Sequence, residues 1–251
     1  MIIGYVNRID ACILIGSAAG SSGLPAANIQ GNPIARPYRV TGSTLNIDFD
    51  YGAATVWAAF ALLGTNLTPT ATVRITLSAV APGNGDVYDT EMVSAGVKPG
   101  YAQVYHVMAA ALTARYGRIT VSDSNLAWID IGRVFAGPVW RPTFGESYGR
   151  GIWWEDASAH LRTIGGQVLS TDGARYRIAE FQVDHNTETE MMTNAFEVDR
   201  LRGTGGDILV MLDPITYVQE LSIWGPLMRA TSLQHWAPGR VRKRYRIEER
   251  L

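Results

Sequence analysis

The sequence is poor in cysteine, in lysine and in charge altogether. Its 251 residues contain one cysteine, Cys12, and two lysines, Lys98 and Lys243, against 20 arginines. A single cysteine excludes an intramolecular disulfide framework and a cysteine-rich zinc site. Charged residues make up 18% of the chain, below the ~25% typical of soluble domains. With 47% hydrophobic residues and a net charge of −1, the composition excludes intrinsic disorder and gives no basic field for nucleic acid.

Long uninterrupted membrane-type segments are also missing. The apolar runs at 11–15 and 208–212 are far shorter than the ~20 residues of a membrane helix. Arg8 and Asp10 interrupt the N-terminal apolar stretch and no basic segment precedes it, so we expect no signal peptide. We therefore expect a protein made in a reducing cytoplasm, with no membrane partner.

The clearest pattern in the sequence is the alternation of apolar and polar residues. Leu45, Ile47 and Phe49 alternate with polar residues, which is typical of a half-buried strand. Short strands separated by turn signals favour a β-sandwich or barrel over βαβ units. The first 40 residues are otherwise irregular. Further strands are predicted at 11–15, 56–63, 73–79, 103–112, 118–121 and 127–134.

A segment rich in glycine and proline at 135–150 predicts a domain boundary near residue 140, which divides the chain into 1–140 and 141–251. Thr187 and Glu190 form a potential capping box, an apolar stripe at helical spacing follows, and Gly203 suits a helix end. The second part is therefore predicted to be β-rich with one helix near 187–202. Its strands are predicted at 176–183, with a bulge between Ile178 and Phe181, and at 208–212, 218–224 and 241–247.

The near-zero net charge hides an uneven distribution. Residues 1–140 are neutral, residues 141–239 carry −5, and residues 240–251 carry +4. A basic terminal strand beside an acidic body favours pairing within one chain or between identical chains, and as an edge strand it would add to another sheet. The alternatives are that its arginines guard a solvated edge or contact phosphate. The residues predicted to lie at a subunit interface are Arg240, Arg242, Lys243, Arg244, Tyr245 and Arg246.

Catalytic patterns are weak. Gly145 to Gly149 match G-x-S-x-G with Ser147 at the nucleophile position, but Pro142 precedes it and the strand–turn–helix context is absent. Asp48 and Asp50 share the polar face of one strand, which suits either an acid/base or calcium pair or a solvated face. We interpret the serine as part of a connecting loop and the carboxylates as a solvated strand face.

Metal and ligand patterns are equally sparse. His185 with Glu188 and Glu190 could form a weak metal cluster, but a solvated helix start explains them better. The segment GSAAGSSG at 16–23 lacks the Gly-Lys-Ser/Thr ending of a phosphate-binding loop. The tryptophan pair 153–154 suits a sugar-stacking platform or, more commonly, a core or an interface. We expect no catalytic residue, no metal and no cofactor.

Five segments of the first part have strand-like motifs that can be compared with known folds. They are LNIDFDYG at 45–52, the apolar strand and GTNL at 56–67, VRITLS at 73–78, RYGRITV at 115–121 and WIDIGRVFAG at 128–137. These segments resemble the strands of galactose-binding-like (discoidin-type) β-sandwiches. The resemblance covers about residues 40–137 and implies a jelly-roll sandwich. No sugar-binding loop matches residue by residue, so the resemblance implies a fold and not a ligand.

The order of motifs over residues 40–251 also resembles tail-tip and baseplate proteins of tailed bacteriophages. After the sandwich come Phe181 and FEVDRLRG at 196–203, then DILVMLDP at 207–214, and a strand that ends near WGPLM at 224–228. The resemblance implies a non-enzymatic virion protein of the distal-tail type, which forms a ring around the tail axis and contacts other tail proteins.

Two other functions stay open at this point. One is a carbohydrate-binding module or adhesin, which would contact glycans on a host surface. The other is a hydrolase that uses Ser147. Oligomeric rings would favour the virion protein, a monomer that binds sugar would favour the module, and a covalent serine adduct would favour the hydrolase.

Overall fold

The computed structural model describes residues 1–16 and 23–251 and is mainly β, as the sequence predicts. Short 3-10 turns lie at Arg8–Ala11 and Ala26–Gln30. The strands of the first part are β1 (Ile2–Gly4), β2 (Ile13–Gly16), β3 (Tyr38–Thr41), β4 (Thr44–Thr65), β5 (Thr72–Ser78), β6 (Tyr88–Asp89), β7 (Val93–Ser94), β8 (Gln103–Ser122) and β9 (Trp128–Gly137). Those of the second part are β10 (Gly151–Asp156), β11 (Ala159–Arg162), β12 (Val168–Thr171), β13 (Arg175–Thr187), β14 (Asp207–Met211), β15 (Ser222–Pro226), β16 (Gln234–Ala237) and β17 (Arg240–Glu248).

The chain forms two compact units. The sandwich unit contains Gly4–Trp140 and Asp213–Glu220, and the second unit contains Met1–Ile3, Arg141–Leu212 and Leu221–Leu251. These units differ from the predicted division at residue 140 in two short segments. The N-terminal residues join the second unit because β1 pairs with β14. The segment 213–220 joins the sandwich because the Gln219 amide donates to the backbone oxygens of Gly96 and Gln103.

The sandwich is built on one curved sheet with the strand order β3-β9-β4-β8-β5-β6, to which β2 and β7 add on β4 and β5. The predicted strands at 45–51 and 56–63 are parts of the single strand β4, and those at 103–112 and 118–121 are parts of β8. The β4–β8 register shifts between Asp50 and Thr55, and again between Trp57 and Ala59. Such irregularities bend strands, so each long strand turns a corner and contributes to both layers.

Aromatic packing fills the core between the layers. Trp57 is fully buried, stacks on Phe60 with ring centroids 6.2 Å apart, and lies 5.1 Å from Phe49. Its indole N–H donates to the Ala114 carbonyl, so its polar atom is satisfied. Phe49 fits against β8 only because its strand partner is Gly117, where a Cβ atom would lie 2.1 Å from the Phe49 ring.

The second unit consists of smaller sheets and one helix. Its sheets are β1-β14-β15, the four-stranded β10-β13-β17-β16, and the separate hairpin β11-β12. The predicted strand at 218–224 begins only at Ser222, because 213–220 belongs to the sandwich unit. The bulge predicted between Ile178 and Phe181 is in the wrong place. The β13–β17 register shifts between Val183 and Asn186, next to His185 with a φ of 63°.

The predicted helix is present over 15 residues, as α1 (Glu188–Glu190), a π-helical segment (Met191–Phe196) and α2 (Glu197–Arg202). Thr187 accepts from the Glu190 N–H, as a capping residue does, and Gly203 ends the helix with a φ of 51°. Of the predicted apolar stripe, Met191, Ala195 and Val198 are buried, whereas Met192 and Leu201 are exposed.

The basic terminal strand β17 is not an edge strand. It lies between β13 and β16 and pairs with both, so it cannot add another sheet through a free backbone edge. Its side chains alternate between the two faces: Val241, Tyr245 and Ile247 are buried, and Arg242 and Arg244 are exposed.

In the described part of the chain, no helix has both the length and the apolar character needed to cross a membrane.

Candidate functional site

The two strand carboxylates are held in ion pairs. The Asp48 carboxylate accepts two hydrogen bonds from the Arg118 guanidinium. The Asp50 carboxylate accepts two from the Arg115 guanidinium, each at 2.8 Å. The hydrogen bonds from Arg115 hold the pKa of Asp50 below its ordinary value. Because each carboxylate is neutralised by its own arginine, the pair fits the interpretation as a charged strand face better than an acid/base or calcium pair.

Ser147 lies in a loop without a nucleophile arrangement. Its hydroxyl donates to the Asp184 carboxylate at 2.6 Å. A serine nucleophile needs a base, usually histidine, that takes its proton and is itself oriented by a third group. A carboxylate hydrogen bond alone does not supply this, so the geometry favours a structural loop.

The alternative of a metal cluster at His185, Glu188 and Glu190 is not supported by the geometry. The His185 ring packs against Trp236 at 4.8 Å, and both carboxylate oxygens of Glu190 accept from Thr143. No group of three or more potential ligands lies together in residues 1–16 and 23–251. The glycine-rich segment at 16–23 falls almost wholly on residues 17–22, outside the described residues.

The tryptophan pair does not form one platform. Trp153 and Trp154 are neighbours on β10, so their side chains point to opposite faces of the sheet. Trp153 lies beside Arg246, and Trp154 lies over Arg177.

The six predicted interface residues divide by burial. Lys243 and Tyr245 are buried within the second unit, where Lys243 pairs with Asp199, so these two side chains are not available to a partner. Arg242 and Arg244 are exposed, and Arg240 and Arg246 are half-buried. Whether these four face another subunit stays a prediction.

The sandwich unit carries an exposed tryptophan among uncharged polar side chains where strands meet loops. We define this loop-end surface as Asn66, Thr68, Thr70, Asn125 and Trp128. The Asn125 amide donates to the Thr70 hydroxyl at 2.7 Å, and the hydroxyls of Thr68 and Thr70 are 2.9 Å apart. These side chains combine hydrogen-bond donors and acceptors with an apolar ring, the two kinds of contact that an uncharged polar ligand needs.

Asp123 holds the two loops of this surface together. Its carboxylate accepts from the backbone N–H of Thr68 at 2.7 Å and from that of Asn125 at 3.1 Å. Burial alone would raise the pKa of Asp123, but the hydrogen bonds from Thr68 and Asn125 outweigh burial and the pKa is lowered. The carboxylate therefore stays ionised and fixes the loops at neutral pH.

Trp128 opens β9 and is 46% exposed. The Arg39 guanidinium lies 5.3 Å from its ring centroid and makes a bidentate pair with Asp130. Asn66 bridges the same strand end, since its amide donates to the Trp128 carbonyl and accepts from the Asp130 N–H. The ring is therefore held in place, and the neighbouring charges cancel.

A cavity of about 240 Å³ also lies in the sandwich unit. Its polar groups are already engaged: Lys98 pairs with Glu220, and the Tyr105 hydroxyl donates to Gln103. Its lining residues are Ser94, Ala95, Gly96, Lys98, Tyr105, Thr216, Val218 and Gln219.

The loop-end surface is not apparent from the sequence. Trp128 appears there only as the start of a strand, and the polar residues belong to two loops 55 residues apart in sequence. The sequence signal that points to this surface is an aromatic residue at the start of a strand, directly after a polar turn. The pairing of β4 with β9, which brings the loops together, is not visible in local patterns.

No protein-family model matches the sequence, and no curated protein matches it. Among solved structures, the chain is similar to a Ruminococcus gnavus GH29 fucosidase in complex with fucose, with 12% identity and a TM-score of 0.45. That match covers 54% of this chain and 27% of the fucosidase, so the chain spans about a quarter of the length of that relative.

Two smaller proteins match over almost their whole length. The family 32 carbohydrate-binding module of C. perfringens NanJ, in complex with galactose, has 11% identity and a TM-score of 0.42, over 53% of this chain and 98% of the module. A chitosan-binding module of a Paenibacillus sp. IK-5 chitosanase/glucanase has 14% identity and a TM-score of 0.41, over 53% and 98%.

The chain is thus similar to carbohydrate-binding modules over about half its length. Its own strands form a β-sandwich unit and a smaller β region, as the sequence predicts. At such identities the likeness concerns the fold alone, so the sugars of those proteins are not transferred to this chain. None of the three bears on the tail-tip resemblance, which stays a prediction.

Proposed function

We propose that the sandwich unit binds an uncharged carbohydrate on the loop-end surface. The observation that carries this proposal is Trp128, an exposed indole that Arg39 holds in place. The loop-end surface also contains amide and hydroxyl side chains, which hydrogen-bond to one another. A sugar ring presents C–H groups on its face and hydroxyls on its edge. The indole can stack on the face of the ring. The side chains of Asn125, Thr68 and Thr70 can form hydrogen bonds with the hydroxyls at its edge.

The distribution of charge around Trp128 supports an uncharged ligand. Arg39 and Asp130 neutralise each other next to Trp128, and Asp123 is buried beneath the loops. A surface without net charge gives no electrostatic preference for an acidic or a basic ligand. The Arg39–Asp130 ion pair and the hydrogen bonds from the loops to Asp123 also fix the surface before a ligand binds. This lowers the entropic cost of binding.

The test is a glycan array with the full chain, followed by calorimetric titration of any sugar that binds. We expect Trp128→Ala to weaken binding at least about tenfold, because it removes the stacking surface. Trp128→Phe keeps an aromatic face and should stay within a few-fold of the unchanged chain. Val80→Thr, at an exposed position outside the surface, is the control and should leave the affinity unchanged.

Two results would contradict the proposal. One is a wild-type chain that binds no glycan on the array. The other is loss of binding in Tyr105→Ala but not in Trp128→Ala, which would place the sugar in the 240 Å³ cavity instead.

A non-enzymatic structural protein of a phage tail tip is the second candidate, and the hairpin β11-β12 favours it. Both strands are exposed, and the hairpin carries four exposed apolar side chains. Exposed apolar groups on an isolated hairpin are favourable where another protein covers them. They are Leu161, Ile164, Val168 and Leu169.

This candidate predicts rings in solution or presence in purified virions. Mass measurement and electron microscopy test it, and a strictly monomeric chain absent from virions would remove it. Both candidates propose a protein without catalysis, so a fluorophosphonate should leave no adduct on Ser147.

A further inference from the structure

The second unit contains a polar cleft of about 530 Å³ beside β17. On this side of β17, the Met228 N–H donates to the Arg246 carbonyl, and Gln234 pairs with Arg242. Between these two points, residues 229–233 form no strand, and the cleft lies there. Its lining residues are Gln182, Arg229, Ala230, Thr231, Ser232, Gln234, Arg242, Lys243 and Arg244.

The lining is basic and contains no acidic residue. Lys243 is neutralised by Asp199 from the buried side, and Arg244 lies 3.5 Å from Glu180. Arg229 and Arg242 have no carboxylate within 4.0 Å among residues 1–16 and 23–251. The cleft therefore keeps about two uncompensated positive charges in a unit whose residues 141–239 carry −5.

One guanidinium of the cleft, that of Arg242, is also oriented. The Arg242 Nε–H donates to the Gln234 side-chain oxygen at 3.1 Å, which fixes the plane of the guanidinium. The Thr231 hydroxyl donates to the Arg244 carbonyl and ties the 229–233 segment to β17. Guanidinium groups fixed at a concave surface match the oxygens of phosphate or carboxylate with paired hydrogen bonds.

We propose that this cleft binds a small phosphate monoester through Arg229, Arg242 and Arg244. A monoester dianion carries two negative charges above its second pKa of about 6, which matches the two uncompensated arginines. The volume exceeds that of a bare ion and leaves room for the organic part. The site is independent of the proposed sugar surface, because every lining residue belongs to the second unit.

The test is calorimetric titration of the full chain with phenyl phosphate at low ionic strength and pH 8. We expect saturable 1:1 binding with a Kd of about 1 mM or tighter. Arg242→Ala and Arg229→Ala should each weaken it at least about tenfold, since each removes a charged hydrogen-bond donor. Arg242→Lys keeps the charge but not the paired donors, so it should also bind more weakly.

Arg200→Ala is the matched control, because it removes the same charge from an exposed position in the same unit outside the cleft. It should change the affinity less than about twofold, since Arg200 already pairs with Glu197 and does not line the cleft. The proposal is overturned by an unsaturable wild-type titration, or by an equal loss in Arg200→Ala and Arg242→Ala. Benzoate binding as tightly as phenyl phosphate at pH 8 would overturn the assignment of a phosphate.

Discussion

The two units differ in how deeply they bury ion pairs. In the sandwich unit, arginines and carboxylates pair across strands at the surface, as in Arg118–Asp48 and Arg39–Asp130, around an apolar core. The second unit buries both partners of the ion pair Arg177–Glu249. Among residues 1–16 and 23–251, it leaves Arg229 and Arg242 without a carboxylate within 4.0 Å. The large sheet of the sandwich unit folds on itself and buries enough apolar surface to stabilise that unit. The smaller sheets of the second unit bury less apolar surface, so the second unit depends more on buried polar contacts.

The two proposed ligands follow this difference. Where charges cancel in pairs, as around Trp128, the surface suits an uncharged molecule. Where two arginines have no carboxylate within 4.0 Å in the described part of the chain, as at Arg229 and Arg242, the surface suits an anion.

The largest effect should come from the apolar core. Trp57→Ala removes a fully buried indole and its hydrogen bond to Ala114, so the free energy of unfolding of the sandwich unit should fall by about 3–5 kcal/mol. Hydrogen exchange measured by mass spectrometry should show faster exchange in β4 and β8 and unchanged exchange in β13 and β17. Equal acceleration in both units would contradict the description of two separate cores.

A similar loss is expected from a buried charge in the second unit. Glu249 accepts two side-chain N–H groups and the backbone N–H of Arg177, which is 2% exposed. Glu249→Gln leaves that guanidinium buried without a counter-charge and should lower the free energy of unfolding of this unit by about 3 kcal/mol.

The matched control for Glu249→Gln is the same change at the neighbouring residue, Glu248→Gln. Glu248 is half-buried and makes no ion pair within 4.0 Å in the described part of the chain, so the change should stay within about 0.5 kcal/mol. Urea unfolding followed by hydrogen exchange of β13 measures both variants. An equally mild effect of Glu249→Gln would show that the buried pair does not stabilise the unit.

A smaller effect is expected at the loop-end surface. Asp123→Asn removes the negative charge that accepts from Thr68 and Asn125, and should cost the sandwich unit about 1–3 kcal/mol at neutral pH. Because the folded pKa of Asp123 is lowered, its contribution is full above the ordinary value of 3.8 and is lost as the pH falls through the lowered value.

Calorimetric unfolding of Asp123→Asn and the unchanged chain, at neutral pH and well below pH 3.8, measures this contribution. The difference in Tm should be large at neutral pH and vanish in acid. A difference that grows in acid would contradict the role of the carboxylate.

Local patterns predict much of the fold. Strand alternation from Leu45 to Phe49 and the helix between Thr187 and Gly203 follow directly from residue spacing. The interior position of β17 does not, because its partner strand β16 at Gln234–Ala237 has no strong pattern of its own. The joining of two predicted strands into β4 depends on long-range pairing with β8, which spacing cannot reveal.

The candidate sites depend on the same long-range pairing. The basic residues of β17 are evident in the sequence. Only the fold shows that Asp199 neutralises Lys243 and that Arg242 has no carboxylate partner among residues 1–16 and 23–251. Trp128 becomes a candidate only when its exposure and its contact with Arg39 are known. Burial and pairing, rather than composition, therefore separate the functional candidates from the structural residues.

The most direct test of the central proposal is an NMR titration of the full chain with the tightest-binding sugar from the glycan array. The account predicts saturable shifts of the Trp128 indole N–H and of the Asn66 and Asn125 side-chain amides, with the signals of β13 and β17 unchanged. Saturable shifts confined to the second unit, or no shift at the Trp128 indole, would contradict it.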